Sequence, residues 1–232
     1  MTQAYSYYSI RPRKRYLSIT TYLIIINAIF FLLAYLISLA FPNFLDYITF
    51  RPSLIIKGQF LWTFITSMFM HSGLIHLAVN MMSLFFLGST LERLIGSKKF
   101  LIIYLVSGVF GSAFLILLYL LFSNPQFILL NIFSDNISKI GISAVGASGA
   151  IFGIAGALTL LKPKIPVYIM FIPIPMPLYL GIILILILLS LFPMVANSAH
   201  IGGLLMGLFM SYYFFLRNAR VKRLYLIRSR GL

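Results

Sequence analysis

The chain has 232 residues and a net charge of +15; 61% of its residues are hydrophobic and only 9% are charged. A soluble domain carries about 25% charged residues, so this composition excludes a soluble fold and makes lipid the solvent. The chain has no cysteine, which excludes disulfides, thiolate catalysis and cysteine-ligated metals.

Six apolar windows reach the length of about 20 residues that a membrane-spanning helix needs. In chain order we predict helices at approximately 16–41, 72–94, 99–122, 148–162, 177–193 and 198–216. The first and third are rich in Leu, Ile and Phe, as lipid-facing helices are. The fourth and sixth are rich in Gly, Ala and Ser, which suits buried helices packed closely on their neighbours. The predicted fold class is an all-α membrane protein, a bundle of six transmembrane helices.

The segment before the fifth helix is rich in proline, with Pro166, Pro173, Pro175 and Pro177. Proline removes a backbone donor and breaks a helix. We therefore interpret this segment as a loop or broken turn that leads into a firm helix beginning near Leu178.

The distribution of basic residues predicts the topology. With six spans and both termini on one side, only Arg51, Lys57 and Lys139 lie on the opposite side. The other fifteen of the eighteen basic residues lie on the terminal side: Arg11, Arg13, Lys14, Arg15, Arg93, Lys98, Lys99, Lys162, Lys164, Arg217, Arg220, Lys222, Arg223, Arg228 and Arg230. The positive-inside rule makes that side cytoplasmic.

The chain therefore divides into a basic cytoplasmic tail at 1–15, a membrane domain at 16–216 and a second basic cytoplasmic tail at 217–232. The longest outside loop is predicted at 42–71. The tails are topology signals that also contact anionic lipid headgroups. They are short and accompany no folded basic domain, so we expect no nucleic-acid partner. We expect a multi-pass protein of a prokaryotic cell membrane.

Polar residues at one depth mark a candidate site. In this topology, helices two, four and six run in the same direction, and His76, Asn80, Ser148 and His200 all lie near their outer ends. Polar side chains are costly in lipid and are functional candidates by default. His76 and Asn80, four residues apart, share one helix face. Both can donate hydrogen bonds, as an oxyanion site requires.

Ser148 lies between glycines, in Gly146-Ala-Ser-Gly149. These glycines let a substrate backbone approach an exposed hydroxyl, and the N–H groups at a helix start stabilise negative charge. Small residues on the fourth and sixth helices, among them Gly202 and Gly203, allow the two axes to come close. Ser148 is thus the candidate nucleophile and His200 its general base.

A third catalytic residue is hard to find, because the acids are only Asp46, Glu92 and Asp135. Glu92 lies at the cytoplasmic end of its helix, and the two aspartates lie in outside loops. A dyad is the better interpretation, with packing in place of a carboxylate to hold the imidazole. Phe152, one turn after Ser148, is a plausible ring to stack on His200.

Three segments resemble the motifs of the rhomboid family of intramembrane serine proteases. They are His71-Ser-Gly-Leu-Ile-His76-Leu-Ala-Val-Asn80 on the second helix, Gly146-Ala-Ser148-Gly149 on the fourth and Ala199-His200-Ile-Gly202-Gly203 on the sixth. The order and helix positions agree from about residue 59 to about residue 207.

The resemblance implies a rhomboid-like six-helix bundle with a water-filled cavity open to the outside. It implies that Ser148 is the nucleophile and His200 the base, and that the Ser148 backbone N–H forms the oxyanion hole with His76 and Asn80. It also implies cleavage of transmembrane proteins near the outer membrane surface, without metal or cofactor. Two departures stand out: Thr63 follows Trp62 where the family has Arg, and Phe152 stands where many members have Tyr.

Two other functions stay open on sequence alone. A non-catalytic member of the same fold would bind and retain membrane clients, although both Ser148 and His200 are present. A small-solute transporter predicts internal repeats and ion-binding groups near the bilayer midplane, and the sequence has neither. Substrate identity and oligomeric state do not follow from the sequence.

Overall fold

The structure is a computed structural model that describes residues 17–122, 144–169, 172–191 and 196–216. These residues are mostly helical, in agreement with the predicted class. Both basic tails and the loop that carries Asp135 and Lys139 lie outside the described residues, so their predicted placement stays a prediction.

Three helical spans among the described residues are long and apolar enough to cross a membrane. The first is α1 (Ile19–Ala40), whose N-terminus is capped by the Ser18 side chain. The second, Leu74–Ile95, consists of α5 (Leu74–Ser83), a π-helical turn (Leu84–Gly88) and α6 (Ser89–Ile95). After Gly96, whose positive φ ends α6, α7 (Ser97–Phe122) forms the third. Their exposed side chains are largely Leu, Ile and Phe, as a lipid-facing surface requires.

The helix that begins at Ser148 is short and central. This helix, α8 (Ser148–Leu161), has 14 residues and is therefore about 21 Å long, against about 30 Å for the hydrocarbon core. Its residues from Gly149 to Leu158 are all buried, and it packs between α7 and α10 (Asn197–Ser211), which continues into a π-helical segment at Tyr212–Leu216. Because α8 is shorter than the bilayer is thick, its first residue can lie below the membrane surface.

The helix α9 (Leu178–Ser190) is likewise apolar and short, with 13 residues. Its first residue agrees with the predicted start. Since α8 and α9 are shorter than a full span, the count of six transmembrane helices stays a prediction.

The predicted outside loop at 42–71 is folded rather than irregular. It contains three short helices, α2 (Phe44–Ile48), α3 (Pro52–Ile55) and α4 (Thr63–Thr66). Aromatic pairs hold them together: the ring centroids of Phe50 and Phe64 are 5.0 Å apart, and those of Tyr47 and Phe60 are 5.5 Å apart. These aromatic contacts make residues 42–71 a compact aromatic cap over one end of the bundle.

The proline-rich segment, predicted as a loop or broken turn, forms a two-stranded β-hairpin, so the described fold is mostly rather than wholly helical. Strand β1 (Pro166–Ile169) pairs antiparallel with β2 (Ile172–Pro177), with Pro166 opposite Pro177. Prolines at every second position of β2 prevent a helix, but the residues between them keep their N–H groups for pairing with β1. In a two-stranded sheet both strands are edge strands, where proline is tolerated. Val167 and Ile169 pack over Gly181 and fix the hairpin to α9.

Candidate active site

Ser148 is held in place by the segment that precedes it. Ala144 exchanges two backbone hydrogen bonds with Phe50, at 2.8 and 3.1 Å, and the Gly146 N–H donates to the Ser67 carbonyl at 2.9 Å. The φ angle of Gly146 is +118°, a conformation that side chains other than glycine's rarely adopt. The segment is therefore tied to the aromatic cap and turns sharply into α8, so that Ser148 is the first helical residue.

The Ser148 hydroxyl and the His200 imidazole meet. The Oγ of Ser148 lies 2.7 Å from the Nε2 of His200, although the two residues are 52 positions apart. His200 lies in the first turn of α10 and is buried, whereas Ser148 is half-buried. A hydroxyl that is to be activated by a neighbouring imidazole needs a contact of this kind.

Phe152 supports the imidazole by stacking. Its ring centroid lies 4.6 Å from that of His200, with the planes 23° apart. The Nδ1 of His200 has no hydrogen-bond partner among the described residues, so packing rather than a carboxylate orients the ring. The two acids that the structure describes are engaged elsewhere: Asp46 pairs with Arg51, and Glu92 accepts hydrogen bonds at the start of α1.

Backbone contact between α8 and α10 brings the pair together. A Cβ added at Gly203 would lie only 2.8 Å from the carbonyl carbon of Gly149, and one at Gly207 only 2.6 Å from that of Gly153. Gly202 was predicted to lie in the same contact, but it faces α7 instead, where an added Cβ would lie 2.5 Å from the Cβ of Phe114. Adjacent residues of a helix point in different directions, so the two glycines serve two interfaces.

His76 and Asn80 lie on α5 beside this pair. A Cβ added at Gly146 would lie 3.0 Å from the Nε2 of His76 and 3.7 Å from the Ser148 Oγ, so both atoms flank Gly146. Asn80 is buried, and its Nδ2 donates to the His76 carbonyl at 2.9 Å. A side-chain amide carries two N–H donors, so one remains for an oxyanion.

His71 is fully buried behind His76. Its ring centroid lies 5.1 Å from that of His76 and 6.5 Å from that of Phe31, both edge-on. The pKa of His71 is lowered to about 4, chiefly by burial and to a smaller extent by the neighbouring His76, while the Phe69 backbone opposes the shift. Neither ring nitrogen has a hydrogen bond of good geometry within the described residues. His71 thus packs as a neutral ring.

Thr63, which stands where the resembled motif has Arg, is hydrogen-bonded within the aromatic cap. Thr63 is buried and its hydroxyl donates to the Phe60 carbonyl at 2.7 Å, while the Trp62 Nε1–H donates to the Tyr47 carbonyl at 2.7 Å. Both side chains therefore make contacts within the cap. Over the described part of the chain, no group of three or more His, Cys, Asp or Glu side chains could hold a metal ion.

Two sets of contacts were missed in the sequence, one at the candidate site and one at the opposite end of the second span. Ser72 contacts the Nδ1 of His76 through both its backbone N–H, at 3.4 Å, and its Oγ, at 3.0 Å. The spacing of four residues was the available signal. The Glu92 carboxylate accepts from the backbone N–H groups of Ile19 and Thr20 and from the hydroxyls of Thr20 and Ser97, at 2.7–2.9 Å. No sequence pattern links those segments.

The fold and the site define a membrane protein with several apolar helices and a hydrogen-bonded serine–histidine pair at one end of a short central helix. Residues 58–217 match the model of the Rhomboid domain. The chain therefore belongs to the rhomboid family.

Its relatives include proteins of plants and bacteria. The chain is 33% identical over 166 residues to RHOMBOID-like protein 6, mitochondrial, of Arabidopsis thaliana, an alignment that covers 68% of this chain and 45% of the relative. It is 33% identical over 158 residues to Rhomboid protease GluP of Bacillus subtilis; this alignment covers 68% of this chain and 26% of the relative. It is 24% identical over 164 residues to Rhomboid protease GlpG of Yersinia pseudotuberculosis; this alignment covers 69% of this chain and 50% of the relative. Each alignment spans half or less of the relative.

Proposed function

We propose that this protein is an intramembrane serine endopeptidase that hydrolyses peptide bonds of transmembrane proteins near the outer membrane surface by a Ser–His dyad. The observation that carries the proposal is the 2.7 Å contact between the Ser148 Oγ and the His200 Nε2. The protease names of two bacterial relatives support the same activity.

In the proposed reaction, the Nε2 of His200 takes the proton of Ser148 as the hydroxyl oxygen attacks a substrate carbonyl. His200 then donates that proton to the leaving amine, and water hydrolyses the acyl-enzyme with His200 again as base. The stack with Phe152 keeps the imidazole plane fixed while it gains and loses its proton. No carboxylate is assigned a role.

The oxyanion of the tetrahedral intermediate would accept hydrogen bonds from His76, Asn80 and the Ser148 backbone N–H. The last of these lies at the start of α8, where N–H groups have no partner within the helix and the helix dipole favours negative charge. Loss of one such donor costs about a hundred-fold to a thousand-fold in kcat.

The substrate must present an extended segment to this site. A transmembrane helix hides its carbonyls in backbone hydrogen bonds, so residues that break a helix near the cut site favour cleavage. Since α8 is shorter than the hydrocarbon core is thick, Ser148 can lie below the membrane surface, and the proposed hydrolysis then requires a path by which water reaches it from outside.

The direct test uses purified protein in detergent with a single-span model substrate. We expect Ser148→Ala to abolish cleavage and Ser112→Ala to retain it. Ser112 is a matched control because, among the described residues, its hydroxyl donates only to the Gly108 carbonyl of its own helix, at 3.4 Å. A fluorophosphonate probe should label the wild type at Ser148. Cleavage by Ser148→Ala at the wild-type rate would disprove the assignment of the nucleophile, and wild type that neither labels nor cleaves would indicate a non-catalytic member.

The proposed membrane orientation is testable because the chain has no cysteine. Lys57, in the cap, and Lys162, after α8, are both exposed and lie on opposite sides in the predicted topology. In intact bacterial cells, a membrane-impermeant maleimide should label Lys57→Cys and should label Lys162→Cys only after lysis. The reverse pattern would overturn the cytoplasmic placement of the termini.

A further inference from the structure

The protonation state of His76 decides whether it can serve as an oxyanion donor. A neutral imidazole has one nitrogen that donates and one that accepts. The nitrogen that faces Gly146, two residues before Ser148, is Nε2, so His76 can donate toward the reaction centre only as the tautomer with its proton on Nε2. Which nitrogen carries the proton is set by the hydrogen bonds of the other one.

Ser72 makes those hydrogen bonds. Its backbone N–H lies 3.4 Å from the Nδ1 of His76, and its Oγ lies 3.0 Å from the same atom. A backbone N–H can only donate, so Nδ1 must accept, and the hydroxyl then adds a second donor. Both contacts therefore favour the proton on Nε2.

We propose that Ser72 is a positioning residue that holds His76 as the Nε2–H tautomer, with its donor directed at the reaction centre. The inference rests on the proposed function, in which His76 stabilises the oxyanion. Ser72 itself touches no reacting atom in this assignment; it acts through His76.

The local chain conformation permits the contact. Helix α5 begins at Leu74, and Gly73 at its N-cap has an extended backbone and no side chain with which to cap the helix. Ser72 therefore lies just outside the helix, folded back over the first turn, on which His76 lies. His71 packs edge-on against the same ring but makes no hydrogen bond to it, so packing and tautomer are set by different residues.

The kinetic test compares Ser72→Ala with Ser72→Thr, which keeps the hydroxyl at an exposed position with room for a methyl group. The backbone N–H remains in Ser72→Ala, so we expect kcat to fall by only about twofold to tenfold, with KM unchanged. Ser72→Thr should restore kcat. Ser38→Ala is the matched control, since that exposed serine bonds only to the Tyr35 carbonyl on α1.

A double-mutant cycle separates positioning from a general structural effect. In the His76→Ala background, the residual cleavage should not fall further when Ser72→Ala is added, because the ring on which Ser72 acts is absent. An equal loss in both backgrounds would overturn the proposal.

The tautomer can be observed without catalysis. The chain has three histidines, so ¹⁵N-histidine labelling gives three rings, and the His76→Ala spectrum assigns the signal of His76. We expect a protonated Nε2 and an unprotonated Nδ1 in wild type, with Nδ1–H gaining population in Ser72→Ala. A wild-type ring protonated on Nδ1 would overturn the proposal even if the enzyme is active. An inactive wild type with the expected tautomer would instead count against the proposed function alone.

Discussion

Replacing Gly203 by alanine should separate the nucleophile from its base. The added Cβ would lie 2.8 Å from the carbonyl carbon of Gly149 and closer still to its oxygen, whereas ordinary contact begins at about 3.4 Å. Both obstacles are backbone atoms, so α8 and α10 must move apart by roughly 1 Å. A shift of that size stretches the 2.7 Å contact between Ser148 and His200 beyond hydrogen-bond reach.

A misplacement of about 1 Å costs on the order of a hundred-fold in rate, and overpacking costs about 1–3 kcal/mol of stability. The assay measures kcat on a model transmembrane substrate, and thermal unfolding in detergent measures the stability of each variant. Gly207→Ala is the informative companion, since it strains the same interface about one turn further from His200. It should cost similar stability and less activity.

Gly73→Ala is the neutral control, because nothing lies within 4 Å of its added Cβ and its φ is extended. A Gly203→Ala enzyme with wild-type kcat would refute the claim that backbone contact sets the distance between Ser148 and His200. Equal activity losses in Gly203→Ala and Gly207→Ala would show that the strain spreads along the whole interface.

Three other predictions follow from single contacts. Phe152→Leu should lower kcat several-fold at nearly unchanged stability, because the stacked ring that orients His200 is lost. Phe152→Tyr keeps the ring and should retain the activity. A fully active Phe152→Leu enzyme would contradict the role of the stack. Glu92→Ala should destabilise the fold by about 3 kcal/mol or more, measured by thermal unfolding, since it leaves buried donors of α1 unpaired; Glu92→Gln should cost less. Folding lowers the pKa of His71 from 6.5 to about 4, so between these pH values His71 binds a proton in the unfolded chain but not in the folded one. The free energy of unfolding should therefore fall as the pH is lowered through that range. The decline should be shallower in His71→Phe, compared by denaturant unfolding at several pH values, and an unchanged slope would show that His71 does not titrate differently on folding.

The sequence alone determined that lipid surrounds this protein, and it predicted the chemistry of the candidate site. Sixty-one per cent hydrophobic residues and 9% charged ones cannot be hidden in a soluble fold, whatever the arrangement of the helices. The polar residues Ser148 and His200 stood out for the same reason: in lipid each carries a cost that only a function or a partner offsets. The glycines around them predicted close helix packing, and the structure places them at helix interfaces.

Only the tertiary structure decided distances, directions and register. Sequence could not show that Gly202 faces α7 while Gly203 faces α8, because the rotation of a helix is set by all its neighbours at once. It could not show that the segment with alternating prolines forms a hairpin on α9, since a strand forms only with a hydrogen-bonded partner strand and its own residues do not identify that partner. The links from Glu92 to α1 and from Ser72 to the His76 ring are of the same kind: a hydrogen bond depends on positions within a fraction of an ångström, which the packed bundle fixes and no local pattern encodes.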